Sequence, residues 1–282
     1  MMNTTAENKI VRLNVPENWN DLLVEQLRYL CRLIAKGINP SYRRQLIFMA
    51  WAGIKSLPSR FVDEAGQHFY LFRCKKQFFY LSVEDYAFFL RKIDFCSGRS
   101  ELSKQLIPHV WSLHRKLYGP ASKLYNLTYN EWIHAESCFN RYLADNKNMS
   151  HLNALCAVLY RPGNGINPSS IEYKGDSREA FSDFIYLQRA RWFRFVPLWQ
   201  KVAIFLFYAG SRDALYNAHN DLKENTTIGE DKTSDIEKHR NLITSLTNGD
   251  VTKNHQVLKS NVWDVFAILN NMVQQFKKMN KK

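Results

Sequence analysis

His134-Ala135-Glu136 carries the His-x-Glu half of a zinc deaminase site, in which the imidazole binds metal and the carboxylate shuttles protons. That chemistry also needs a Pro-Cys-x-x-Cys to complete the ligand set. None follows, and Cys156 stands alone. On a helix, His134 and Glu136 would instead lie beside a core face, with Glu136 pairing locally. His109 and His114 lack the glutamate of an HExxH, and their spacing does not put two imidazoles on one helical face for zinc. Gly163 and Gly165 open a GxG without the third glycine or the preceding strand of a dinucleotide site, and no P-loop, GxSxG elbow or EF-hand loop is present. No catalytic residue, metal ligand or cofactor is expected, and a non-enzymatic protein is the reading that follows.

The richest combination of charge and aromatic surface is QRARWFRFVPLWQK, where Arg189, Arg191, Arg194 and Lys201 alternate with Trp192, Phe193, Phe195 and Trp199. Cations for phosphates and rings for bases suit single-stranded nucleic acid. The competing reading is a solvated cationic edge over an aromatic core, because Trp192 and Phe195 also fit a buried helical face. These four cations are the candidate residues for binding a partner or nucleic acid. A formal net charge of +13 favours acidic partners of any kind. Screening confines cooperation to charges within about 8 Å, so folding must cluster them for the total to matter.

Several elements must position these groups. With 45% hydrophobic and 14% aromatic residues the chain has enough apolar surface to fold rather than stay disordered. The pattern predicts a mainly α protein, an irregular helical bundle with one short β-hairpin in the N-terminal half. Leu23, Leu27, Leu30 and Ile34 mark a helix over 17–36, and a second spans 41 to the residue before Leu57-Pro58. HFYLFRCKKQFFYLS reads as two strands about a turn at Cys74-Lys75-Lys76, followed by a helix capped by Ser82 and Asp85. A helix is predicted over 106–117. Thr128 and Glu131 form a capping box for the next one, and His151 to Tyr160 makes a short apolar helix. PGNGINPSSIEYKGDS must be loop. A helix from Asp176 or Ser177 would bury Phe181, Phe184, Ile185, Gln188, Trp192 and Phe195. LWQKVAIFLFYAG follows at the core centre, and a last helix over 260–279 turns Val262, Val265, Leu269, Met272, Val273 and Phe276 inward. The expected organisation is a region over 1–118 and a helical domain over 119–282 with a mobile polar tract at 220–238.

The opening MMNTTAENKIVRLNV lacks the apolar core of a secretory signal, and the apolar run Val202 to Ala209 is short of the roughly 20 residues that span a bilayer. A cytoplasmic protein with no membrane partner and reduced, mostly buried cysteines is expected.

LTYNEWIHAESCFNRYL, LNALCAVLYRP, LWQKVAIFLFYAG and NGDVTKNHQVLKSNVWDVFAILNNM, in that order, resemble the tail-assembly chaperones encoded beside the tape-measure gene of tailed phages and prophages. The resemblance covers about Leu127 to Met272. It implies a non-enzymatic assembly factor, acting in the host cytoplasm, that shelters a long helical tail protein such as the tape measure. It also marks Thr128, Glu131, Tyr160, Arg161, Pro162, Gly249 and Asp250 as framework positions. A basic nucleic-acid-binding protein is the alternative.

Overall fold

The computed structural model describes residues 15–145, 148–173, 175–225, 235–247 and 249–279. These divide into two units: a smaller one made of the described residues up to Leu22 with Gly37–Gly98, and a larger one made of Leu23–Lys36 and the residues from Arg99 onward. Residues 118 and 119, where the expected division lay, both fall in the larger unit, as does the first helix, α1 (Val24–Ala35).

In the smaller unit, α2 (Pro40–Ala52) starts under an Asn39 cap and stops at Gly53, whose φ of +65° is the left-handed conformation that ends helices cheaply only in glycine. The chain then makes a three-stranded antiparallel sheet of β1 (Ile54–Val62), β2 (His68–Cys74) and β3 (Gln77–Ser82). Pro58 has no N–H to give to a ladder, and the β1 register shifts between Ser56 and Arg60 around it. Helix α3 (Val83–Lys92) begins where the Ser82 hydroxyl accepts from the Asp85 backbone N–H at 3.0 Å. Phe48 stacks on Phe89 at 5.5 Å, and Phe72 meets Tyr86 at 5.6 Å, so α2 and α3 share a core with one face of the sheet.

The larger unit adds a second three-stranded antiparallel sheet, β4 (His109–Ser112), β5 (Arg115–Tyr118) and the two-residue β6 (Arg161–Pro162). Its centre is a pair of packed helices, α4 (Tyr129–Ala144) and α5 (Met149–Leu159). Every residue of α5 from Leu152 to Leu159 is buried, and α4 is buried on nearly all sides from Tyr129 to Phe139. After the short α6 (Tyr186–Arg189) and a 3-10 turn over Ala190–Phe195, α7 (Leu198–Ala218) packs against both α5 and α1. Helices α8 (Asn220–Asn225), α9 (Asp235–Leu246), α10 (Val251–Lys259) and α11 (Val262–Met279) close the unit, with Phe266 against Trp132 at 4.9 Å.

Two buried carboxylates on α4 tie this unit together. Glu131, Arg161 and Arg178 are 2%, 1% and 3% exposed. Arg161 donates to one Glu131 oxygen at 2.8 Å and Arg178 to the other at 3.3 Å, while Asp176 holds Arg178 at 2.7 Å. Further along α4, Glu136 accepts from Arg212 Nε at 2.8 Å and from the Tyr208 hydroxyl at 3.0 Å. Charges this deep are tolerable only when paired and hydrogen-bonded, so the Asn164–Arg178 segment and α7 are pinned to α4 by specific partners.

Five expectations need correction. The helix expected to run from 41 up to Leu57-Pro58 stops at Ala52, where Gly53 ends it and β1 begins at Ile54. A helical bundle with one hairpin is wrong: the fold mixes eleven described helices with two antiparallel sheets. Residues 106–117 are not helical but supply β4 and β5, because burial alternates: Val110 and Ser112 point in and Trp111 points out. Asp176 starts no helix, since its carboxylate engages Arg178 and the chain stays irregular until Tyr186; Phe184 and Phe195 are exposed there. Phe276 also faces outward, because at this level of α11 it is Gln274 and Lys277 that turn toward Asp221 of α8, each at 2.8 Å. Of the polar tract, 226–234 lies outside the described residues, and α8 and α9 flank it. No helix among the described residues is long and apolar enough to cross a membrane.

Candidate anion-binding cleft

The four cations of the Arg189–Lys201 stretch separate into three environments. Arg189 turns away, pairing with Glu179 at 2.5 Å and covering the Trp192 ring at 5.9 Å. Arg191 and Arg194 are exposed and line a depression of about 320 Å³ with Arg141, His151, Asn153 and Tyr186. Arg194 also lines an adjoining depression of about 660 Å³ with Asp145, Asn148, Asn153 and Lys201. The two share Ser150, Asn153 and Arg194 and so make one continuous cleft.

Its chemistry is that of an anion site. Among the described residues, Arg141, Arg191 and Arg194 make no ion pair, and Asp145 is the one carboxylate on the lining. Lys201 sits at the bottom, 6% exposed, donating at 3.1 Å to the Asn153 amide oxygen, a neutral partner for a charged group. Burial lowers the Lys201 pKa, and the nearby Cys156 thiol offsets this only in part. An anion bound here would relieve that cost. The first turn of α5 opens onto the same surface: Asn148 caps it through the Ser150 N–H at 3.1 Å, and the positive end of the helix adds to the field. Cys138 is no nucleophile, because burial pushes its thiol up to about 12, and burial raises Tyr186 to about 12 as well.

The aromatic half of the sequence reading fares differently. Phe193 is fully buried, Trp192 is covered by Arg115 at 4.2 Å, and Trp199 is covered by Arg28 at 5.0 Å and Arg32 at 5.9 Å. Only Phe195 leaves a ring open to solvent, so the cleft offers charge without a row of stacking surfaces. Arg141 and His151 escaped the sequence reading because they lie far from the stretch in the chain. The packing of α4 against α5 brings them beside it. A signal was available in the predicted helix ends, where a basic last turn and a polar first turn meet.

The other constellations do not assemble. His134 lies against Phe181 and Tyr186, at ring distances of 5.3 and 5.2 Å, while Glu136 points to Arg212 and Tyr208. Burial lowers the His134 pKa, opposed by the Asp183 carboxylate and reinforced by Arg240. His109 sits in β4 and His114 in the turn after it. No group of three His, Cys, Asp or Glu among the described residues could hold a metal ion. A larger cleft of about 840 Å³ exposes the edge of the Glu131–Arg161–Arg178–Asp176 network beside His134. There both Glu131 oxygens and both Asp176 oxygens are already engaged by guanidinium groups, so the charged floor is internally neutralised.

Gly249 has φ of +80°, Asp250 caps α10 through the Thr252 N–H at 2.9 Å, Thr128 caps α4 through the Glu131 N–H at 3.3 Å, and the Tyr160 hydroxyl donates to the Ile107 carbonyl at 2.6 Å. Comparison of the chain with protein-family models, with curated proteins and with solved structures finds no match to any of them.

Proposed function

We propose that the protein binds nucleic acid through its backbone phosphates at the cleft between α4, α5 and the Ala190–Phe195 turn. The observation that carries this reading is the convergence of three arginines that make no ion pair among the described residues, Arg141, Arg191 and Arg194, on a buried lysine and a helix N-terminus. Guanidinium groups left without carboxylates are poised for phosphate, which they grip bidentately. The overall charge of +13 supports the same partner by steering a polyanion toward the chain. Such binding positions a strand without reading its sequence. The test is anisotropy of a labelled 20-nucleotide oligomer titrated with the wild type and with R191E/R194E. The double reversal is expected to weaken binding at least tenfold for oligomers of unrelated sequence, and unchanged affinity would remove the cleft from consideration.

A second reading has its own observation. Ile268, Met272, Phe276 and Met279 follow one face of α11, and all but Met272 are exposed. That i, i+4, i+8, i+11 stripe suits a helical partner. It favours the tail-assembly role, in which the protein shelters a long helical tail component such as the tape measure. Co-expression with such a component should recover both proteins together and F276D should release it; recovery unaffected by F276D would count against this surface.

A further inference from the structure

The cleft supplies cations for phosphates but no row of open rings, whereas the sheet of the smaller unit carries exposed rings side by side. In sheet β1–β2–β3, alternate residues point away from α2 and α3. Strand register places Lys55, Phe61, Phe69, Leu71, Arg73, Phe78 and Tyr80 on that outer face. Phe61, Phe78 and Tyr80 are 51%, 63% and 51% exposed. The Phe61 ring lies 6.0 Å from both Phe69 and Tyr80, so rings from all three strands form one aromatic surface.

The charges on this face have one sign. Lys55 and Arg73 are directly opposite each other across β1 and β2, and Arg73 is opposite Phe78. Like charges facing across a ladder destabilise a sheet, and no outward position here holds an acid to balance them. Lys75 and Lys76 add two exposed cations at the β2–β3 turn. At the β1–β2 turn one Asp63 carboxylate oxygen accepts from the Ala65 and Gln67 backbone N–H groups at 3.0 and 2.7 Å. A purely apolar partner would leave Lys55 and Arg73 repelling each other, whereas a strand with stacked bases and flanking phosphates satisfies rings and cations together.

From this juxtaposition we infer that the outer face of the β1–β2–β3 sheet is a stacking platform for single-stranded nucleic acid, with Phe61, Phe69, Phe78 and Tyr80 taking bases and Lys55 and Arg73 taking phosphates. The inference rests on the nucleic-acid reading of the cleft and sharpens it: the cleft accepts any phosphate backbone, and the platform selects strands with unpaired bases. The test compares a labelled 20-nucleotide thymidine oligomer with a 20-base-pair duplex, using the full-length chain. F78A/Y80A removes two exposed rings without touching the core. It should weaken oligomer binding about fivefold or more per ring while leaving duplex binding as it was, and F78W/Y80W should restore it. K55E/R73E should weaken oligomer binding as well. Oligomer affinity unchanged in F78A/Y80A while R191E/R194E lowers it overturns the platform and leaves the cleft standing, as does a platform that takes an apolar protein segment instead. A wild type that binds neither oligomer nor duplex overturns both.

Discussion

Replacing Glu131 by Gln keeps the shape of the side chain and removes its charge. In the wild type Glu131 is the shared partner of two guanidinium groups that are almost wholly buried. After the change, Arg161 keeps the Val158 and Glu179 carbonyls at 2.9 and 2.8 Å, and Arg178 keeps Asp176 and the Leu159 carbonyl, but two buried cations now face a single carboxylate. Both stay charged at neutral pH, since a guanidinium does not give up its proton inside a protein. Breaking a buried pair from one side costs about 3–5 kcal/mol, because the partner is left uncompensated. For a unit of this size that lowers the melting temperature by about 6–20 °C. Differential scanning calorimetry of E131Q checks the number, with E25Q as a control because Arg28 and Glu25 form an exposed pair on α1. E25Q should shift stability by less than about 0.5 kcal/mol. If E131Q melts within a degree or two of the wild type, the network does not pin the Asn164–Arg178 segment to α4.

The remaining predictions concern single groups. His134 is kept neutral by burial, so the unfolded chain takes up its proton first and wild-type stability should fall, relative to H134Q, as pH drops below about 6.5; urea titrations across pH 4.5–7.5 would show a flat difference if the imidazole were solvated. Lys201 has its pKa lowered by burial, so its cost is greatest at neutral pH and is relieved as pH rises toward about 10.4. The stability of wild type relative to K201M should climb over that range, and a constant difference would place the ammonium in water. Gly210 lies inside α7, where alanine ordinarily helps by about 1 kcal/mol. Here a Cβ would fall 2.3 Å from the Leu102 backbone nitrogen, so G210A should instead destabilise by about 1–3 kcal/mol in a urea melt, and a gain in stability would contradict the packing.

What the sequence made legible follows from how local each signal is. Caps show up because they are written within four residues: Ser82 with Asp85, and Thr128 with the Glu131 N–H. The Thr128–Glu131 box is nonetheless half deceptive, since the Glu131 carboxylate goes to two distant arginines. Residues 106–117 misled because four-residue strands leave little room to distinguish alternation from a helical face, and the turn between them runs through Leu113, with φ of +53°, instead of a glycine or asparagine. The candidate cations were visible as residue types, but not their fates. Arg189 finds Glu179 across the irregular segment before α6, Lys201 finds Asn153 through a contact that bridges a long stretch of chain, and Arg141 joins Arg191 only through the packing of α4 and α5. The aromatic platform was hidden in plain composition. Which of the rings in HFYLFRCKKQFFYLS face out depends on the register with β1, which no local rule supplies.

The most direct test of the account is the salt dependence of oligonucleotide binding. Each phosphate contact to a single strand contributes about 0.7 to the slope of log affinity against log salt. Four cleft cations, Arg141, Arg191, Arg194 and Lys201, therefore call for a wild-type slope of about −2.8 or steeper, and R191E/R194E should make it shallower by about 1.4. Binding that is absent, indifferent to salt, or equally steep in the double variant would contradict the claim that this cleft grips a phosphate backbone.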